Sequence, residues 1–428
     1  MKKILIIGGG FAGLSAAVRL TNAGFRVKVL ESSPKLGGRA YSFEDEFTGD
    51  IIDNGQHIMM GCYHETLDFL KITGNLDNIS IQKSLKVIFS NRSGANFQLS
   101  AEYGFYPFNL ILGILSFKAI SLKERISILN FFLRLQLNMH RDLDNLSVRQ
   151  WLEREGQSTN SIRSLWEILN VGALNTCTSK ASALMFSEIL KQMFLKNSRS
   201  ASIIIPGTGL SEMYCTGAAN FLIQRGSEIC VSTRVEKIIL NENLASAVVF
   251  NGSEYKAFDY IVSAVPFHAV NKLINIEFIN TAHFTPSSIL SVHIWLTENN
   301  FVQEFYGLID SEVHWIFNHK NYITIVISNA DKFMQMNREE IIHLIIHEMK
   351  QYFPFFTDKL IRNYRIIKEK RATFIPDSKA LSNRPETRTN FNNLFLAGDW
   401  INTGLPATIE GAVKSGRLAA DKIISINS

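Results

Sequence analysis

The chain opens MKKILIIGGGFAGLSAAVRLTNAGFRVKVLESS, and the glycine cluster at residues 8–13 restricts its fold more than any other stretch. Residues 4–7, ILII, read as a short buried strand. Gly8-Gly9-Gly10-Phe11-Ala12-Gly13 follows as GxGxxG, and LSAAVRLTNAG continues with helical periodicity. A second apolar run, 25–30, ends at Glu31. The unit is β-α-β with glycines at its first turn, which is a dinucleotide site. Gly8 permits the tight turn. Gly10 lets backbone approach a pyrophosphate, and Gly13 lets the helix pack close to the strand. Phe11 and Ala12 stand at the helix N-terminus, where free N–H groups and a partial positive charge meet phosphates. Glu31 lies eighteen residues past Gly13. Its carboxylate accepts from a ribose hydroxyl pair and repels a 2′-phosphate, which argues against NADP.

A chain of 428 residues favours two or three domains. The net charge of +5 is mild, and no nucleic-acid partner is expected. Cys62, Cys177, Cys215 and Cys230 form no CxxC pair and no metal-ligand spacing with His. They read as reduced thiols in a cytoplasmic protein without a metal site. The N-terminal apolar run passes straight into the glycines, so no signal peptide is expected. Residues 103–117, YGFYPFNLILGILSF, carry no charge but fall short of the ~20 residues that span a bilayer. They read either as a core helix or as an anchor in one leaflet, which would make the protein peripheral on the inner membrane face. Gly207-Thr208-Gly209 lacks a third glycine and an acid, so no second dinucleotide site is assigned.

The segment after Glu31, ESSPKLGGRAYSF, places Gly37-Gly38-Arg39 just beyond the ribose acid. This resembles the second fingerprint of the flavin amine oxidase and phytoene desaturase superfamily. The resemblance implies FAD, with backbone at Gly38 passing near the flavin and Arg39 offsetting pyrophosphate charge. It also explains NLFLAGDWINTGLPATIEGAVKSG near the other end of the chain. There a strand ends in Gly398-Asp399, and the resemblance implies that Asp399 bonds the ribityl chain. A helix starting at Thr408-Ile409 would point its N-terminus at the flavin pyrimidine, where reduced flavin carries negative charge. Val235 would touch adenine through its backbone. No cysteine follows Cys230, which argues for noncovalent FAD.

The resulting fold class is α/β, with a discontinuous Rossmann-like FAD-binding domain and a second, α+β substrate-binding domain. The FAD-binding segments are 1–80, 200–274 and 385–428, and the substrate-binding segments are 81–199 and 275–384. Residues 81–200 read as mostly helical. Residues 275–384 read as a sheet with one helix near 338–350.

DNGQHIMMGCYHETLDFL, SVRQWL, GALNT, KEKRATF and the C-terminal stretch together resemble the hydroxysqualene dehydroxylase family along nearly the whole chain. Ile168-Leu169-Asn170 departs from the Pro-Leu pair expected there. The resemblance implies reductive loss of an allylic hydroxyl from hydroxysqualene, giving squalene and water in bacterial squalene biosynthesis. Hydroxide leaves poorly, so a general acid is expected. His57 and Gln56 are the catalytic candidates, and each reads equally as a group that merely bonds flavin or backbone. Tyr63, His64, His293, Trp295, His314 and Trp315 are weaker candidates. Expected partners are an isoprenoid lipid, other squalene-pathway enzymes and a membrane surface. Two competing readings stand beside this one. One is an oxidative flavoenzyme, either a carotenoid desaturase or an amine oxidase. The other is a non-catalytic isoprenoid carrier stabilised by flavin.

Overall fold

The computed structural model describes residues 1–274 and 279–428. The expected 275–384 segment begins at 275–278, outside the described residues.

A parallel five-stranded sheet forms around Lys3–Ile7. Arg26–Leu30 and then Glu228–Cys230 lie to one side, Tyr260–Ser263 and then Leu394–Leu396 to the other. Ile6 pairs with both Val29 and Val262. Leu5 and Ile6 are wholly buried, as expected of a parallel strand covered on both faces. The chain leaves Lys3–Ile7 for one neighbour and reaches the other much later. That reversal opens a crevice at the strand's C-terminal end, where residues 8–13 stand.

The crossover helix Phe11–Asn22 packs on the C-terminal helix Ile409–Asn427. Gly416 makes this possible, since a Cβ there would sit 2.1 Å from the Ala12 carbonyl oxygen. Ser15 Oγ donates to the Val413 carbonyl at 2.7 Å and fixes the register.

The larger sheet has seven strands, in the order Ile361–Phe374, Pro286–Leu296, Tyr322–Ser328, Trp315–Asn318, Phe305–Leu308, Lys86–Ser90, Asn96–Ser100. One face is covered by the helix Arg338–Tyr352. There Leu290, Val292 and Ile294 pack with Ile341, Ile345 and Met349. The period of two then sends Ser291, His293 and Trp295 to the opposite face. Trp295 Nε1 donates to Asp50 Oδ2 at 2.6 Å, so this face looks toward residues 42–57.

Residues 81–200 are less purely helical than their composition suggests. Helices Leu122–Gln136, Val148–Arg154, Glu167–Leu174 and Ala183–Phe194 do enclose Phe131, Trp151, Trp166 and Phe186. Ahead of them, however, Lys86–Ser90 and Asn96–Ser100 form a hairpin that joins the large sheet through Tyr306↔Ile88. The NRSGA turn, closed by Asn91 N–H to the Ala95 carbonyl at 3.0 Å, was the signal for it. The stretch 209–255 splits between two sheets. Glu228–Cys230 joins the parallel sheet, whereas Val235–Asn241 begins a separate antiparallel sheet with Leu244–Phe250 and Ser253–Tyr255.

Candidate active site

The two glycine motifs lie against each other. The Gly37 N–H donates to the Gly9 carbonyl at 2.9 Å, and Gly10 and Gly37 form a parallel bridge. Gly8 has φ +105°, and a Cβ at Gly13 would stand 1.9 Å from the Gly8 carbonyl oxygen. The turn therefore needs glycine at both positions. At Gly10 the nearest atom to an added Cβ is Gly38 Cα at 3.8 Å, so the backbone there stays open to a close ligand. No side chain caps the helix that starts at Phe11. Its first N–H groups thus remain for an anion.

Glu31 is buried, and its carboxylate is oriented by three donors. Gly9 N–H reaches Oε2 at 2.6 Å, Ser33 N–H reaches Oε1 at 2.7 Å, and Ser32 Oγ reaches Oε1 at 3.2 Å. The backbone approaching Val235 runs beside it, with Thr233 N–H donating to the Glu31 carbonyl at 2.7 Å.

Arg39 Nη2 donates to Asp399 Oδ1 at 2.6 Å across a sequence separation of 360. Its Nη1 donates to the Ala372 carbonyl at 2.9 Å, on the strand Ile361–Phe374. Burial disfavours the guanidinium charge, but Asp399 outweighs it and the Arg39 pKa rises. Asn54 holds the adjoining backbone by donating to the Arg39 carbonyl at 2.8 Å and accepting from Tyr41 N–H at 3.1 Å.

Gly398 has φ +145°, and its N–H bonds Ser415 Oγ at 2.8 Å. Strand end and C-terminal helix are thereby joined. Thr408 Oγ1 caps that helix by accepting from Gly411 N–H at 3.2 Å. Ile409 and Glu410 then lead the helix with N–H groups that have no carbonyl a turn below them. Glu410 itself turns back to cap the helix His64–Ile72. It accepts from Glu65 N–H at 3.0 Å, Thr66 N–H at 2.9 Å and Thr66 Oγ1 at 2.6 Å. Burial raises the Glu410 pKa against these bonds.

His57 and Gln56 are half-buried in the segment between Glu410's partners and the large sheet. His57 Nδ1 lies 2.6 Å from the Gly55 carbonyl, so Nδ1 carries a proton. A Cβ at Gly55 would meet Ser291 Oγ at 3.3 Å, which places this segment on the sheet's inner face. Burial lowers the His57 pKa, and Asp53 opposes the shift. Asp53 is itself raised by burial, although it accepts from Ser42 Oγ at 2.7 Å and Leu210 N–H at 3.0 Å. In its neutral form His57 presents only the acceptor Nε2. Only the imidazolium donates from that nitrogen.

The weaker candidates separate cleanly. His293 faces inward, bonds Thr324 Oγ1 at 2.9 Å, and is held by burial at about 4. His314 accepts Ser328 N–H at 3.1 Å and is also lowered by burial to about 4. Both are neutral at pH 7 and neither serves as an acid there. Trp295 sits 5.4 Å from Tyr322, ring to ring. Trp315 lies against Gly172, whose added Cβ would be 3.3 Å from its ring. Tyr63 is the N-cap of the helix that His64 begins, and burial raises its pKa.

The profile of the family described as flavin containing amine oxidoreductase matches residues 11–424. The chain belongs to that family. It is an FAD-dependent oxidoreductase. It is similar to the hydroxysqualene dehydroxylase of Zymomonas mobilis, 29% identical over 98% of both chains. It is likewise 29% identical to that of Sinorhizobium fredii over 99% of both. The 15-cis-phytoene desaturase of Arabidopsis thaliana is 23% identical over 99% of this chain and 80% of its own. Among solved structures, an oxidoreductase from Methanosarcina mazei superposes with a TM-score of 0.74 at 17% identity, covering 99% of this chain and 100% of its own. That likeness shows the fold.

Three residues that shape the site are not among the candidates read from the sequence. Arg384 is buried and clamps the loop after Asp399, with Nη1 donating to the Leu405 carbonyl at 2.6 Å and Nη2 to the Asp399 carbonyl at 2.9 Å. It also donates to the Ile401 carbonyl. Burial lowers its pKa to about 10, with Asp399 opposing, so it stays charged at neutral pH. Glu410 is the second. The third is Asn175 of the GALNT stretch, a helix C-cap at φ 48°. It accepts from Asn329 N–H at 2.8 Å, donates to Thr373 Oγ1 at 3.0 Å, and takes Ser287 Oγ on its carbonyl at 2.6 Å. Asn tolerates the left-handed conformation, which explains the residue type. Asn170, at the departure from Pro-Leu, supports the same loop through the Thr176 carbonyl at 2.5 Å.

Proposed function

We propose that this enzyme reductively dehydroxylates hydroxysqualene to squalene, as its relatives' names suggest. Similarity to hydroxysqualene dehydroxylases from end to end of both chains carries the reading. In it, segments 1–80, 200–274 and 385–428 bind noncovalent FAD, and segments 81–199 and 275–384 hold the isoprenoid.

Residues 8–13 receive the pyrophosphate, whose charge Arg39 offsets, backbone at Gly38 passes near the flavin, Glu31 takes the ribose, and backbone at Val235 the adenine. Asp399 holds the ribityl chain in a loop fixed by Arg384. The N-terminus led by Thr408 and Ile409 faces the ring. Reduced FAD, when bound, would supply the hydride that forms the new C–H bond. The chain's own work is to break the C–O bond. His57, as imidazolium, donates its Nε2 proton to the departing oxygen, which leaves as water, and Gln56 positions the hydroxyl. The carbon that loses oxygen becomes cationic. A wall including Trp295, Tyr322 and Ile289 excludes water from it.

A desaturase reading has support of its own, because phytoene and zeta-carotene desaturases match at 22–24% identity. An anaerobic single turnover separates the two. After photoreduction, added hydroxysqualene should reoxidise the flavin with one squalene formed per flavin. A flavin that stays reduced overturns the proposal. Oxidised flavin bleached by a polyene precursor supports the desaturase instead.

A further inference from the structure

Two neighbouring helices turn apolar side chains outward, and this surface plays no part in the chemistry above. On and before Phe108–Ser116, the side chains of Tyr103, Phe105, Phe108 and Leu112 are 49–77% exposed. They form one patch. The Phe105 and Phe108 rings are 5.2 Å apart, and an added Cβ at Gly104 would lie 3.7 Å from Leu112. On Leu122–Gln136 and just past it, Leu122, Ile126, Leu133 and Leu137 are 55–60% exposed. Their spacing is that of one helix face. The opposite face buries Ile128, Phe131 and Leu135. The helices are tied together by Arg125, whose Nη1 donates to the Leu115 carbonyl at 2.8 Å.

We infer that this surface docks on an anionic lipid bilayer, with both helices lying in the interface. Charge selects the occupant. Residues 102–142 hold five cations against Glu102, Glu124 and Asp142; Arg134 pairs with Glu155, while Lys118, Lys123 and Arg141 are exposed and form no ion pair among the described residues. Basic side chains around exposed aromatics match the attraction of anionic headgroups combined with apolar insertion. In a two-fold contact with a second copy, these cations would oppose themselves. Depth is bounded too, because no helix among the described residues is long and apolar enough to cross a membrane. Beside the patch opens a cavity of ≈ 580 Å³ lined by Tyr103, Leu112, Asn109, Gln98 and Lys118. Asn109 is buried, and its Oδ1 has no partner among the described residues. An unpartnered amide oxygen and the Lys118 cation at an apolar rim suit a phosphatidylglycerol headgroup, whose hydroxyls donate and whose phosphate accepts. The inference stands on this surface alone and does not require the proposed reaction.

The test is flotation of the FAD-loaded full chain with vesicles of phosphatidylcholine and phosphatidylglycerol, against vesicles of phosphatidylcholine alone. The wild type should float with the anionic vesicles, and less so as salt rises. Phe105→Ser with Phe108→Ser should weaken binding by about a hundredfold, since each fully inserted ring is worth about tenfold or more. Ile126→Ser with Leu133→Ser, on the second helix, should weaken it as well. Flavin content and thermal unfolding should match the wild type in both variants, which separates lost docking from lost folding. Wild type that stays at the bottom of the gradient overturns the inference, as does undiminished flotation of both variants. A vesicle-free dimer that either variant dissociates also overturns it, in favour of a second copy.

Discussion

Replacing Gly416 by alanine tests how the two chain ends come together. The added methyl would sit 2.1 Å from the Ala12 carbonyl oxygen, 2.9 Å from the Ala16 nitrogen and 2.9 Å from Ser15 Cβ. Two of these are backbone atoms and cannot swing aside. A carbon–oxygen contact needs roughly 3.3 Å, so the helices must separate by about 1 Å. Overpacking costs about 1–3 kcal/mol, and a clash with backbone belongs at the upper end. At about 2.1 cal/mol/K per residue, 3 kcal/mol lowers the midpoint of a chain this long by about 3 °C. The shift should also reach the cofactor, because Phe11–Asn22 begins at the glycine turn and Ile409–Asn427 joins the Gly398 strand end. A misplacement near 1 Å in a cradle of N–H groups should weaken FAD by about tenfold or more. Thermal unfolding with and without FAD reads the first quantity, and titration of flavin fluorescence the second. Lys422→Ala, exposed on the same helix, should move neither beyond about 0.5 kcal/mol. Should Gly416→Ala leave both the midpoint and the FAD affinity at wild-type values, the crossing at Gly416 is wrong.

Arg39→Gln should weaken FAD about tenfold by removing a charge-assisted bond, and Arg39→Lys should restore it only in part, because one ammonium cannot span Asp399 and Ala372 as the fork does; equilibrium titration checks this. Glu410 has a raised pKa, so its stabilising contribution is complete below the ordinary carboxylate value of 4.5 and is lost as pH rises through the raised one. Denaturant unfolding of Glu410→Gln against wild type should therefore shift in favour of the variant with rising pH. Glu124 runs the other way. Burial opposes ionisation, but the Ser158 hydroxyl and the Ser121 and Asn160 donors hold it down to about 2, so its contribution is present above 4.5 and lost as pH falls toward 2. Acid unfolding of Glu124→Gln should lack that segment of the curve. Single-turnover reoxidation should slow as pH rises through a value below 6.5, the lowered pKa of His57, and His57→Gln should react at least about a hundredfold slower with no such limb.

The glycine turn, Glu31, Gly398-Asp399 and the C-terminal helix were legible because each is local. A GxGxxG turn dictates its own backbone, and a small-residue helix announces a close neighbour. What the sequence concealed is what depends on distant pairing. The hairpin at 86–100 gains its place from Phe305–Leu308, more than 200 residues onward. Arg384 is an ordinary basic residue until the loop at 399–405 wraps it with carbonyls. Glu410 occupies a first-turn position where acids are common, yet its carboxylate serves another helix. His57 was legible as a candidate, while its tautomer was not, because the Gly55 carbonyl sets it only once the turn has formed.

Arg39 shows how one side chain can connect the two halves of the chemistry. It lies in the second glycine motif, and its two terminal nitrogens go to different places. One reaches Asp399, at the strand end of the parallel sheet, and the other reaches Ala372, on the outer strand of the seven-stranded sheet. That strand pairs with Pro286–Leu296, which carries Ser291, His293 and Trp295 toward residues 42–57. Two residues along from Ala372, Phe374 belongs to the core behind the parallel sheet, together with Trp400. Arg39 thus sets how the seven-stranded sheet meets the parallel one. The guanidinium suits this because it is a rigid fork, with donors aimed along two directions at once. Loss of the Asp399 partner alone should loosen the cofactor, whereas loss of the whole fork should also let the two sheets shift against each other.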